Sequence, residues 1–318
     1  MAEPGALPRY AMRRLIGLVP VMAVAIVVTF LATRALPGDP IQVMLSDHSA
    51  DLQLAARLRA EYGLNRPLVV QFRSYVVGLM RGDFGLSFRY VNTPVTQVLR
   101  ESLLISPLLA FSAISLALPI GVFAGVQAAI RRNSAADAGI MLILIAGLSI
   151  PNFALATFLV YLLSVRLELL PVAGWGTFRD AVLPVAVLAI PSAAYVARLT
   201  RTFMLEVLDR DFVRTARAKG MRPRIVVYRH ALLNALVPLS TSAGIIFGGL
   251  LSNTVVVETL FNIPGLGRLA IDSIFARDYP VAMAVVLLFT AFYALINLAV
   301  DVICAGIDPR IRANLAAS

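Results

Sequence analysis

Charge is scarce in this 318-residue sequence, and cysteine, histidine and lysine are nearly missing. Asp, Glu, Lys and Arg together make up 14% of the chain, against about 25% in soluble domains. One cysteine, Cys304, excludes an internal disulfide and any metal cluster built from cysteines. The two histidines, His48 and His230, lie in different loops with no neighbouring ligand set and read as ordinary polar positions. Of the 28 basic residues, 27 are arginine and one, Lys219, is lysine. That lysine follows Ala218 and precedes Gly220, so it cannot complete the G-x-x-x-x-G-K-[ST] loop that cradles nucleotide phosphates. The chain therefore lacks a Walker A ATPase site.

What is present is grease. Hydrophobic residues account for 59% of the chain, and mean hydropathy is +0.83. Six runs carry no charged residue: Leu15–Thr33, Ser102–Ile130, Ala138–Val165, Ala181–Ala197, Ala231–Val257 and Tyr279–Val300. A helix needs about 20 apolar residues to cross the hydrocarbon core, and the shortest run, Ala181–Ala197, has 17. Barrel strands would alternate in polarity over about 10 residues, and none of these runs does. The expected fold is an all-α membrane protein of six transmembrane helices. Arg13 and Arg14 precede the first run, as in a signal peptide. The run is longer than a typical signal core and leads into "TRALPGDP" without an A-x-A cleavage site, so it is expected to be a retained anchor.

Six spans put both termini on one side. The N-terminus carries Arg9, Arg13 and Arg14, the next loop on that side Arg131 and Arg132, and the tail Arg310 and Arg312. Residues 198–230 hold nine basic side chains and three acidic ones. The opposite face has two loops with two basic residues each and a 68-residue segment, 34–101. Loops longer than about 60 residues translocate largely regardless of charge, so the arginine bias predicts both termini in the cytoplasm. The long outer segment is expected to form a small subdomain with one or two short helices. "SADLQLAARLRAEYGL" has helical spacing, and "LPGDP" and "RGDFG" read as turns. Its "RGD" is read as part of that turn rather than as an adhesion motif.

Within the runs, Pro107, Pro119, Pro151, Pro184, Pro191 and Pro238 are expected to interrupt or kink the helices. Gly121 and Gly125, and Gly244 and Gly248, form small-x-x-x-small faces suited to close helix packing. No ionisable residue lies deep in any run. Ion-coupled carriers usually bury one along their pathway, so a transporter that powers itself is disfavoured.

The basic tract 198–230 admits three readings. A loop drawn to anionic lipid is one. A nucleic-acid arm is another, but it has no recognisable fold. The order of residues favours the third, a structured docking element. "DFVRTARAKG" reads as a short helix with Asp211 at its N-cap, stopped at Gly220. "PRIVVYRHALLNALVP" restarts a helix with Pro223 in its first turn.

At this point the tract resembles the cytoplasmic EAA loop of bacterial ABC-transporter permeases. Arg214, Thr215 and Ala216 occupy the E-A-A slots, Arg217 and Lys219 follow, and Gly220 matches the glycine of the pattern. Only the second alanine is kept literally, and the trailing proline comes late, at Pro238. Both departures resemble the di/oligopeptide branch. "RRLIGLVPV", "RALPGDP", "YGLNRPLVVQF", "RGDFGLSF" and "IDPRIR" are similar to that branch in the same order. So is "ETLFNIPGLGRLAIDSIFARDYP", which carries the outer-face motif Glu258, Pro264, Gly265 and Gly267. The chain thus resembles the B-type permease subunit of the dipeptide/oligopeptide/nickel family.

The resemblance implies a type I ABC importer fold in a bacterial inner membrane. It implies a division into 1–34 with the first span, an extracytoplasmic segment 35–101, a core 95–305 holding the coupling loop 198–230, and a tail 306–318. It implies four kinds of neighbour: a homologous C-type permease, two ATP-binding cassette subunits, an extracytoplasmic solute-binding protein and the bilayer. ATP and magnesium would sit on the ATPase subunits, with no catalytic, cofactor or metal residue in this chain. Peptides are the leading substrate expectation, with nickel complexes, glutathione and opine-like or sugar ligands open. The alternative class is a membrane scaffold or insertase-like helper that uses the basic loop to hold lipid or a partner.

Overall fold

The computed structural model describes residues 6–35, 41, 52–90 and 92–307. His48, the "LPGDP" turn and the arginines of the tail fall outside the described residues. Among the described residues twelve helices follow in order. They are α1 (Ala6–Ala35), α2 (Leu52–Glu61), α3 (Leu68–Met80), α4 (Val95–Arg100), α5 (Ile105–Ile130) and α6 (Ala135–Ser149). Next, α7 (Asn152–Leu159) runs on as a π-helix over Val160–Arg166, followed by α8 (Phe178–Leu208) and α9 (Asp211–Ala218). Then α10 starts at Pro223–Ile225, winds as a π-helix over Val226–Ala231 and continues as Leu232–Leu260. The chain closes with α11 (Leu266–Phe275) and α12 (Tyr279–Ile307).

Five of these, α1, α5, α8, α10 and α12, are long and apolar enough to cross a membrane by themselves. The expected sixth span is broken. Its charge-free run forms α6 and α7, bent by 102° at Ile150–Pro151. Proline disfavours helical backbone in the residue before it, and Ile150 is extended at φ −81°, ψ 119°. The other prolines behave differently. Pro119, Pro184, Pro191 and Pro238 lie inside continuous helices.

The shortest charge-free run proves to be part of the 31-residue helix α8, whose window is the most deeply packed of the five spans. Thr177 and Asp180 start it with a reciprocal capping box. Its far end continues through Arg198 and Arg201 because Arg201 finds a partner. The guanidinium makes a two-point contact with Asp137 of α6, Nε to Oδ1 at 2.9 Å and Nη2 to Oδ2 at 2.7 Å. The tract expected as a loop at 198–230 is therefore helical at both ends, and only 209–222 links the two spans by way of α9.

The core lies between α5 and α8, the most extensive helix pair. A Cβ on Gly121 would stand 2.6 Å from the Ala193 carbonyl and from Val196 Cβ, and one on Gly125 would stand 2.6 Å from Thr200 Cβ. The second glycine pair does the same between α10 and α12, where Asn297 lies over Gly244 and Tyr293 over Gly248. Such contact is the main source of helix association in lipid, where burying apolar surface gains nothing.

Among the described residues three short helices, more than the one or two expected, lie between α1 and α5: α2, α3 and α4. An aromatic series seats this region on the bundle, with Phe30 against Phe72 and Tyr75, Tyr62 against Phe88, and Phe88 against Tyr279. Asp278, 1% exposed, accepts from Ser87 Oγ and from the amides of Phe88 and Arg89. "RGDFG" is a turn, with Gly82 and Gly85 at positive φ.

Two outcomes test this packing. Asp137→Ala leaves Arg201 mostly buried without its counter-ion, and thermal unfolding in detergent should report a loss of about 3–5 kcal/mol, part of it recovered by Asp137→Leu with Arg201→Met. Gly125→Val should separate α5 from α8 and abolish the monodisperse peak in size-exclusion chromatography; a normal peak would contradict the close approach.

Candidate functional site

The sequence singled out two groups of residues, and they lie at opposite ends of the bundle. At one end α9 links α8 to α10. Its N-cap is Arg210, in extended backbone, and Asp211, expected at the N-cap, is the first helical residue, so the helix starts one residue earlier than the sequence suggested. There its carboxylate favours the positive end of the helix dipole, and it lies 3.5 Å from Arg214. The far end closes as a Schellman motif. Gly220 N–H donates to Arg217 O (2.9 Å) and Met221 N–H to Ala216 O (3.3 Å), with Gly220 at φ +72°. No atom would obstruct a Cβ on Gly220, so the demand for glycine there comes from the backbone alone.

Helix α9 has two faces. Val213 and Ala216 are buried against Val226, with Val207, Leu208 and Met221 around them. This seats α9 on the end of α8 and on the π-helical foot of α10. Arg214, Thr215, Arg217, Lys219 and Gly220 are exposed, and so is Phe212 at 43%. Ala216, grouped with these residues in the sequence motif, faces inward. Arg217 also lines a cleft of about 410 Å³ with Arg132, Asp209, Arg224 and Tyr228. The Tyr228 hydroxyl accepts from Gln127 of α5 at 3.0 Å. The arrangement is a small cationic knob, rigid in itself and fixed to two spans.

At the other end, Glu258 is 0% exposed near the end of α10. The chain turns back over it through 261–265 and enters α11. Glu258 Oε2 accepts from the Arg268 amide at 3.1 Å, and Ser106 Oγ accepts from the Leu266 amide at 2.8 Å. A Cβ on Gly265 would overlap the Glu258 carboxylate, and one on Gly267 would stand 2.6 Å from Val255 Cα. Gly265 and Gly267 thus let the backbone cross the carboxylate, while Pro264 stays exposed at the turn. Glu258 holds this turn from inside, and no surface of it is offered to a ligand. Nearby, Tyr90, Gln97, Glu101, Gly265, Arg268 and Asp272 line an open cleft of about 450 Å³ at the surface.

A third cavity of about 300 Å³ lies between α1, α3 and the start of α12, among Arg34, Gln71, Tyr75 and Tyr279. Burial pushes the Tyr75 phenol above its ordinary range. Sequence reasoning missed this cavity, because residues from three distant segments line it. Among the described residues, no group of three or more His, Cys, Asp or Glu side chains could hold a metal. The chemistry these surfaces offer is contact and movement.

The sequence pattern of binding-protein-dependent transport system inner membrane components matches residues 117–313. The pattern of the N-terminal part of such membrane components matches residues 7–98. The glutathione transport system permease protein GsiC of Shigella flexneri is 41% identical over 303 residues, covering 95% of this chain and 98% of its own. GsiC of Escherichia coli matches with the same identity and coverage. A solved inward-facing structure of the MetNI methionine ABC transporter shares the fold, with a TM-score of 0.59 at 20% identity. That likeness covers 67% of this chain and 97% of the other. With relatives matched from end to end and the type I importer fold in common, this chain belongs to the binding-protein-dependent transport system inner membrane components, as a permease subunit of an ABC importer.

Proposed function

We propose that this chain forms half of the translocation pathway of an ATP-driven importer for di- or oligopeptides and receives its power stroke at α9. The observation that carries this reading is the two-faced seat of α9. Its buried Val213 and Ala216 grip α8 and α10, and its exposed side carries Phe212 among Arg214, Arg217 and Lys219. A short helix fixed this way passes an imposed displacement to both spans. In this reading a cytoplasmic ATPase subunit docks on α9 and a second one on the homologous C-type permease. ATP and magnesium bind those ATPase subunits, and this chain performs no catalysis. The α9 end and both termini face the bacterial cytoplasm. The segment 35–101 and the α11 region face outward, where a solute-binding protein delivers substrate. The core 95–305 then carries the pathway, and 306–318 is a cytoplasmic tail.

The relatives matched over nearly the whole chain are named for transport of glutathione, itself a short peptide thiol, which supports a small peptide as substrate. Glutathione is the second reading, favoured by the same 41% identity. Uptake of radiolabelled dipeptides and of glutathione into proteoliposomes, with the partner permease, the ATPases and the binding protein present, separates the two.

Gly220 gives the sharpest test of docking. Left-handed backbone costs a residue with a Cβ about 1–2 kcal/mol, and asparagine tolerates it best. Gly220→Val should strain the α9 turn by about 1–2 kcal/mol and lower ATP-driven uptake, with membrane insertion unchanged and Gly220→Asn retaining most activity. Normal transport by Gly220→Val would remove α9 from the coupling role. At the opposite end, deleting 52–61 should reduce binding-protein-dependent uptake while the ATPases still co-purify. Unchanged uptake would exclude this segment from delivery.

A further inference from the structure

The broken span raises a question of hydrogen-bond accounting. Helix α6 rises about 22 Å over its fifteen residues before the chain turns, so the break lies within the bilayer. Ile150 N–H closes α6 on Ala146 O at 3.2 Å, and Leu155 N–H opens α7 on Pro151 O at 3.0 Å. Between them, the amides of Asn152, Phe153 and Ala154 and the carbonyls of Ser149 and Ile150 have no hydrogen-bond partner among the described residues. Hydrocarbon cannot supply one, and each unsatisfied group left there costs several kcal/mol. The bundle does not supply one either. Ser149, Ile150, Pro151 and Phe153 are exposed on this chain, and Asn152 is half-buried. Only Leu155 and Ala156, a turn further on, are buried in the core.

We propose that the break at 149–154 faces the water-filled translocation pathway, so that its peptide groups and the Ser149 and Asn152 side chains form a polar station for the permeating solute. This rests on the importer reading and deepens it by naming which segment of the chain touches what is carried. Irregular backbone at membrane depth persists only where it lines water or is covered by protein. The mixture of amide donors and carbonyl acceptors suits a solute that carries both, as peptide bonds do. The π-helical turn at Val160–Arg166 extends the same span, and such turns occur often at functional sites. By contrast, α6 itself presents Leu142 and Ile143, 70% and 72% exposed and purely apolar, one to two turns before the break.

The test uses the assembled transporter in proteoliposomes, with Cys304→Ser as background and single cysteines at Ser149, Asn152, Leu142 or Ile143. Only a thiolate reacts with a charged, membrane-impermeant maleimide, and apolar surroundings keep a thiol protonated, so Ser149→Cys and Asn152→Cys should react about tenfold faster than the Leu142 and Ile143 variants. Their rates should also change when the ATPases are trapped with vanadate. Equal rates at all four positions would overturn the proposal. So would reaction at Ser149→Cys and Asn152→Cys only when the chain is inserted without its partner permease, which would place the break in a protein interface. ATP-driven uptake by the unlabelled transporter is measured in parallel. Its absence would count against the importer reading, while the labelling pattern would still decide where the break faces.

Discussion

The approach of α5 to α8 at Gly121 and Gly125 governs the rest of the bundle. With no side chain at either position, α5 lies directly on the backbone of α8 at Ala193 and Ala197. One turn on, Arg201 leaves that interface and reaches Asp137, so α6 is tied to the same wall by charge. The end of α8 then carries α9, and Met204 packs with Ala231 and Ala235 of α10. In the proposed importer, a displacement imposed at α9 would pass to α5, α6 and α10 through these contacts.

The three buried acids of the described structure share one arrangement. Asp137 lies in the first turn of α6, where it accepts from the Asn133 amide, and the Ser134 hydroxyl caps its own. Glu258 faces the first turn of α11, and Asp278 immediately precedes α12. Each is a carboxylate at a helix N-terminus, where free amides and the dipole stabilise negative charge. Backbone amides offset part of the cost of burial, with the Arg201 guanidinium as counter-ion to Asp137 and the Ser87 hydroxyl donating to Asp278. The same geometry serves three purposes, tying α6 to α8, folding α11 over α10 and seating the 85–90 loop on α12.

Much of this was legible in the sequence, because bilayer thickness and the absence of charge constrain spans strongly. The two glycine pairs, the proline at the start of α10 and the Gly220 stop were read correctly from local backbone chemistry. What escaped depended on partners far away along the chain. The true length of α8 was hidden because Arg201 meets Asp137, 64 residues earlier. Six prolines looked equivalent, yet only Pro151 breaks a span. The others lie within helices, whereas the residue before Pro151, Ile150, is extended. Ala216 was placed in the docking motif by residue type alone, whereas the helical repeat of α9 turns it inward beside Val213. The two π-helical turns leave no mark in residue type that spacing could detect.

Helix α1 carries a consequence for how the molecule is made. Apart from aromatic contacts with α3, its principal packing partner is α12. Two contacts mark that seam, Arg14 with Asp301 at 3.1 Å and the Thr33 hydroxyl with Met283 Sδ at 3.4 Å, the latter 250 residues apart. Helix α1 thus gains its principal partner only after the helices between it and α12 have been made. Until then it must persist as a lone helix in lipid, which its charge-free run Leu15–Thr33 allows. A chain truncated before α12 would leave α1 without its principal packing partner.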